Sequence, residues 1–256
     1  MKKYYFLFLF ILPYFNIFAQ GTAGDGAIYE YRSLVDMQTA GILKKGFVAS
    51  VTDVLPYGSV IQKLEVGVFD NISIGISYGG ANIIGAGNPE WYKYPGVNIR
   101  FRLFDESLTI PAVTLGFESQ GKGAYFDSSG RYAIKSPGFF ASASKNFALL
   151  GYLSFHGCLN YSLENKDGDG FVNLVAGIEK TIGKNVSIIT EYDFALNDNT
   201  TDLFGNGNGY LNMGLRWNMA DGFTVEFDLR DLLDNKKWSP SSADRAIKFE
   251  YIKSIF

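Results

Sequence analysis

The sequence predicts an all-β chain: a transmembrane up-and-down antiparallel β-barrel of about twelve strands behind a cleaved signal peptide. Three observations predict it. Runs of roughly ten residues alternate apolar and polar side chains, short and long connections alternate between the runs, and the charges of a run keep to one parity.

Taken from the N-terminus, Lys2 and Lys3 precede an apolar run over 4–18 that ends at Ala19 and Gln20, the pattern of a secretory signal peptide spanning 1–20. Pro13 interrupts the run and no basic flank follows, which disfavours a retained anchor. Cys158 is the single cysteine, so neither an intramolecular disulfide nor a lipid-modified cysteine behind the signal is available. Residues 21–45 then form a periplasmic or plug segment, and 46–256 form the barrel. Charged residues make up 19% of the chain and aromatics 16%, and the net charge of -3 is too small to call for nucleic acid. Behind the signal no apolar stretch reaches the length of about 20 residues that a membrane helix needs, so a membrane would be crossed by strands.

Period-2 runs between turn signals predict strands at 47–55, 60–69, 72–80, 97–104, 110–119 and 138–146. Six more follow at 150–163, 171–182, 186–196, 210–219, 223–232 and 246–256. In the run starting at Phe223 the odd positions Phe223, Val225, Phe227 and Leu229 are apolar, while Thr224, Glu226, Asp228 and Arg230 are polar. Val97, Ile99, Phe101 and Leu103 alternate with Asn98, Arg100 and Arg102 in the same way. Connections at 70–71, 105–109, 147–149, 183–185 and 220–222 are short; those at 81–96, 120–137, 164–170, 197–209 and 233–245 are longer and polar. An up-and-down barrel with short periplasmic turns and long outer loops requires this order, and an even strand count leaves both chain ends on the short-turn side. The first hairpin, turning at 56–59, is the exception. Phe69, Phe104, Phe147, Phe223 and Phe256 fall at strand ends on the short-turn side, and Tyr78, Trp91, Tyr161 and Tyr210 near the long loops, as two membrane interfaces select.

The main functional candidates are the lumen-facing charges: Lys63, Glu65, Arg100, Arg102, Glu118, Glu179, Glu191, Asp193, Arg216, Glu226, Asp228, Arg230, Lys248 and Glu250. Their signs nearly cancel. They can pair into a network that stiffens or closes the barrel, or ring a charged constriction that orients a polar solute. His156, the only histidine, shares its parity with Ser154, Cys158 and Asn160; these read as ordinary lumen, and no catalytic residue is assigned. Asn165, Asp167 and Asp169 resemble half of a calcium loop, but Ala176 stands where the bidentate Glu belongs, so no metal or cofactor is expected. The Gly-Asn repeat at 205–209 lacks a strand-to-helix context and cradles no phosphate.

The entry segment 39–46, the hairpin 64–78 around Asp70 and Asn71, and the loop into Lys93, Tyr94, Pro95 and Gly96 resemble the YjbH-like group of bacterial outer-membrane β-barrel proteins. That resemblance implies a location in the outer membrane and an association with exopolysaccharide production, and it carries over no catalytic residues. The expected role is a narrow pore or surface component linked to envelope or exopolysaccharide export. The alternative is a non-conducting structural or adhesive barrel that binds a partner through its outer loops. Expected partners are outer-membrane lipid, the barrel-assembly machinery, and polysaccharide or envelope proteins.

Overall fold

In a computed structural model of the chain the described residues are 29–182, 184–199, 204–237 and 243–255. The signal peptide expected at 1–20, the first part of the 21–45 segment and Phe256 lie outside them. Among the described residues fifteen strands occur in chain order: β1 (Phe47–Leu55), β2 (Ser59–Phe69), β3 (Ile72–Ala81), β4 (Glu90–Trp91), β5 (Gly96–Phe104), β6 (Ala112–Glu118), β7 (Lys122–Phe126), β8 (Arg131–Ile134), β9 (Gly138–Ala148), β10 (Tyr152–Tyr161), β11 (Asn173–Ile182), β12 (Val186–Asp193), β13 (Tyr210–Ala220), β14 (Phe223–Arg230) and β15 (Asp244–Ser254). Strands β4, β7 and β8 belong to long loops, and the other twelve pair antiparallel with their neighbours. The sheet closes where β1 pairs with β15, from Phe47 opposite Ser254 to Val54 opposite Ile247. Closure leaves no edge, the condition a sheet must meet inside hydrocarbon.

Several strand ends differ from the sequence expectation by a few residues, three of them for a backbone reason. The run at 186–196 stops at Asp193 because Ala195 takes φ 49°, and the run from Phe223 stops at Arg230 because Asp231 takes φ 56°. Pro111, which has no N–H to give a ladder, stands just before β6. The short first turn, Pro56–Gly58, is braced by the next loop, whose Asn82 and Ile83 amides donate to the Tyr57 and Gly58 carbonyls at 3.2 and 2.8 Å.

The two faces are chemically opposite. Leu64, Ile74, Ile76, Ile99, Phe101, Leu115, Phe155, Ile178, Ile188, Leu215, Trp217, Phe227 and Phe249 are exposed around the whole outer wall, although each stands in a regular strand. No soluble monomer exposes a continuous apolar girdle of that extent, and lipid is the solvent it suits. The inner wall carries Ser73, Ser77, Asn98, Thr114, Ser142, Ser144, Asn146 and Ser154 beside charged groups, all buried. Strand β1 departs from this rule, since Ala49, Val51 and Leu55 share the inward parity of Asp53.

Inside the barrel lies the chain's own N-terminal segment. The Tyr29 hydroxyl donates to Asp221 on the β13–β14 turn at 2.8 Å, so the segment enters from the short-turn end. It folds into a tight hairpin in which Leu34 N–H donates to the Met37 carbonyl at 3.0 Å and Thr39 N–H to the Arg32 carbonyl at 3.1 Å. Leu34, Val35 and Met37 at its tip pack with Phe140, Cys158, Val175 and Ile189 of β9 to β12 in a dry knot within an otherwise polar lumen. Further down, Leu43 packs with Ala49 and Ile252, which is why β1 turns apolar residues inward. Two wall glycines make room for it: a side chain at Gly177 would collide with Leu34, and one at Gly67 with the Leu43 and Lys44 carbonyls.

Candidate functional site: the occupied lumen

Period-2 geometry alone aims the inner-parity charges at the axis, and the segment supplies many of their partners. Arg32 forms ion pairs with both Glu65 of β2 and Glu250 of β15. Glu30 pairs with Arg102, which also donates to the Ala40 carbonyl at 2.7 Å and lies 3.0 Å from Asp105. Arg100 donates to Gln38 and to the Thr39 and Gly41 carbonyls at 3.2 and 3.3 Å, with its guanidinium 5.1 Å from the Phe140 ring centre. Glu191 accepts the Asp36 and Met37 amides at 2.9 and 3.0 Å, capping the hairpin tip. Asp36 meets Arg230 and, from the opposite end, Lys122 of the outer β7 at 2.9 Å. Bonds of this kind satisfy backbone groups that would otherwise be orphaned in a closed space.

The remaining sequence candidates pair across the wall or stay apart. Lys63 pairs with Glu118, and Lys248 bridges Glu226 at 2.6 Å and the Leu34 carbonyl at 2.8 Å. Arg216 donates to Glu226 at 2.6 Å, Glu179 at 3.2 Å and the Ser33 carbonyl at 2.8 Å, and its guanidinium lies 3.9 Å from the centre of the Tyr31 ring. Asp193 accepts Asn173 Nδ2 and the Ala195 amide, both at 2.7 Å, and Asp228 is buried with one carboxylate oxygen unpartnered. His156 Nδ1 lies 2.8 Å from Ser144 Oγ, which accepts the Ala40 amide at 3.0 Å, so this pair serves to seat the segment.

A second ionic cluster ties the long loops together. Arg131 of β8 is fully buried, 2.8 Å from Asp167 and 2.6 Å from Asp198, over the Phe204 ring at 3.8 Å. Lys135 also reaches Asp167 at 2.7 Å, so the carboxylate that resembled a calcium ligand is taken by two cations. Burial alone would push the Asp167 carboxyl up, but hydrogen bonds from Lys135 and the Asp169 amide, with Arg131 beside them, hold it below the usual carboxylate range. Burial pushes Glu164 up, against the bonds it accepts from Ser136 and Tyr132. Tyr210, grouped by sequence with the outer aromatics, instead turns inward and donates to Asp198 at 2.6 Å.

Glu30, Arg32, Asp36, Asp53, Lys122 and Arg131 were not among the sequence candidates. The alternation of Tyr29 and Tyr31 with Glu30 and Arg32 was an available signal for an extended, two-faced segment, and Asp53 shares the parity of Val51 and Leu55. Nothing local marks Lys122, which reaches the lumen from a loop, or Arg131, which ties the loops together.

These features define a twelve-stranded transmembrane β-barrel whose lumen is lined by paired charges and occupied by its own N-terminal hairpin. No family model and no curated protein matches the sequence. Among solved structures, a KdgM porin is similar over 82% of this chain and 99% of its own, with a TM-score of 0.47 and 9% identity. A NanC porin is similar over the same shares, 82% and 99%, with a TM-score of 0.42 and 9% identity. A complex of Salmonella typhi OmpF with daunomycin is similar over 75% of this chain and 61% of its own, with a TM-score of 0.31 and 17% identity. The barrel is closed by the pairing register of this chain itself.

Proposed function

We propose that the chain is a bacterial outer-membrane β-barrel whose lumen is a narrow pore for polar solutes, kept almost shut by the hairpin at 29–45. The seated hairpin is the observation that carries the reading. It fills a polar, charge-lined bore from the short-turn side, yet free volumes of about 80, 110 and 180 Å³ remain along its flanks. The apolar girdle and the alternation of short turns with long loops support the outer-membrane location. Paired acids and bases around a constriction orient a dipolar solute without trapping it. The likeness of 39–46 and 64–78 to the YjbH-like group supports a link to exopolysaccharide export, tested by measuring surface polysaccharide in a strain that lacks the chain.

Planar-bilayer recordings test the pore directly. The chain from residue 21 onward gives a small conductance, and the chain from residue 46 onward a several-fold larger one. Silence from both, with heat-modifiable gel migration confirming folded barrels, sinks the pore. The non-conducting structural or adhesive reading, which the density of buried ion pairs favours, would then stand.

A further inference from the structure

The three free volumes run in series along the hairpin. The outer one, about 80 Å³ beneath the long loops, shares Asp36, Ile134 and Asp193 with the middle one of about 110 Å³. The inner one, about 180 Å³, is lined by Tyr152 and His156 and by Lys184 and Asn185 of the β11–β12 turn, so it lies toward the short-turn side. One water needs about 10–15 Å³ on this measure, so each chamber admits several. The inner and middle chambers share a single lining residue, Arg216.

Resting on the pore reading, we propose that solute moves beside the seated hairpin and that Arg216 is the gate joining the inner chamber to the rest of the path, fixing its ion selectivity. The planar guanidinium is clamped on several sides: by Glu226 at 2.6 Å and Glu179 at 3.2 Å on the wall, by the Ser33 carbonyl at 2.8 Å on the hairpin, and against the Tyr31 ring at 3.9 Å. It therefore spans the gap between wall and hairpin where the two chambers meet. A swing of this side chain opens the passage without moving the hairpin. Together with Lys248, which pairs with Glu226 at 2.6 Å, its charge balances the two glutamates, so the closed gate is close to neutral.

Removing the arginine and loosening its clamp move selectivity in opposite directions. In full-length chains with the hairpin present, Arg216→Ser joins the chambers, leaves Glu179 facing the gap without its cation and leaves Glu226 to Lys248 alone. Conductance rises several-fold, and the reversal potential under a KCl gradient shifts toward cations. Glu179→Gln keeps the shape of the site but frees part of the arginine; conductance rises less, and selectivity shifts toward anions. A barrel weakened for structural reasons would not shift selectivity in two opposite senses. Heat-modifiable migration reports folding, and if Arg216→Ser fails to fold, the anion shift of Glu179→Gln alone decides. Conductance and selectivity unchanged in the folded variants, while the chain from residue 46 onward conducts, overturn the gate and leave the pore intact. Silence of that truncated chain sinks the pore itself.

Discussion

Replacing Arg32 by methionine severs a double ionic tie between the hairpin and the wall. Arg32 is the shared partner of Glu65 and Glu250, and all three side chains are at most one-tenth exposed. Arg32→Met keeps the aliphatic stem and strands two buried carboxylates, of which Glu65 retains only the amide of Asn98 as a side-chain donor. Breaking a buried pair by removing one partner costs about 3–5 kcal/mol. At about 1.4 kcal/mol per factor of ten, the ratio of docked to released hairpin falls roughly 100- to 4,000-fold. Hydrogen exchange of the peptide covering 29–45 reads this ratio, because the Thr39 amide is protected by the Arg32 carbonyl only while the hairpin is formed. The same change in a Glu65→Gln, Glu250→Gln background strands no charge and costs only hydrogen bonds, about 1 kcal/mol each. Exchange in the triple variant therefore returns most of the way to that of the parent chain. A single variant exchanging within about tenfold of the parent, or a triple variant as fast as the single, refutes the account.

The remaining predictions concern the dry knot, the wall beneath it and the loop cluster. Leu34→Ala removes a fully buried side chain from the knot with Phe140, Val175 and Ile189 and weakens hairpin docking by about 2–5 kcal/mol, read by the same exchange measurement. Gly177→Val drives a branched side chain into Leu34 and within 3.2 Å of Met37 Sδ, so the tip lifts while heat-modifiable migration persists and the conductance rises. The pH dependence follows from Asp167. Its folded-state value is depressed, so its contribution is complete above the ordinary carboxylate value of about 3.9 and is lost as pH falls through the folded value. The acceleration of outer-loop proteolysis by Asp167→Asn should thus be the same at pH 5 as at pH 7 and shrink only in stronger acid. Glu164 has the opposite sign: its raised value favours the protonated form in the fold, so loop proteolysis of the parent slows as pH falls from neutral toward the ordinary carboxylate value, whereas Glu164→Gln, which can accept only one of the Ser136 and Tyr132 amides, removes that dependence.

The barrel was legible because a strand with lipid on one face and a charged lumen on the other must alternate, as at Val97 to Arg102 and Phe223 to Arg230. Strand ends were less so, since a positive φ at Ala195 or Asp231 is fixed by surrounding contacts rather than by residue type. Strand β1 obscured the pattern for a reason visible only in three dimensions: its inward Ala49 and Leu55 meet apolar neighbours instead of water. The small hairpin β7–β8 was hidden in a loop punctuated by Gly121, Gly123 and Gly130, and with it the reach of Lys122 to Asp36. Opposite signs on one parity announced pairing, but the partners of Arg100, Arg102, Glu65 and Glu250 came from a segment far away in sequence. Local periodicity carries no information about such distances.

The double grip of Arg32 also bears on assembly. Its two carboxylates stand on β2 and β15, the strands flanking β1, so the contact straddles the seam at which the first strand meets the last. Glu250 reaches its place only when β15 has zipped against β1 in the correct register. A slip of one residue would swing that carboxylate out to the membrane and bring Phe249 or Tyr251 inward in its stead. Arg32 thus acts as a rivet over the weld. It can be driven only after the cylinder has closed correctly, and misregistered barrels would be left with an unanchored N-terminus that proteases outside the membrane can find.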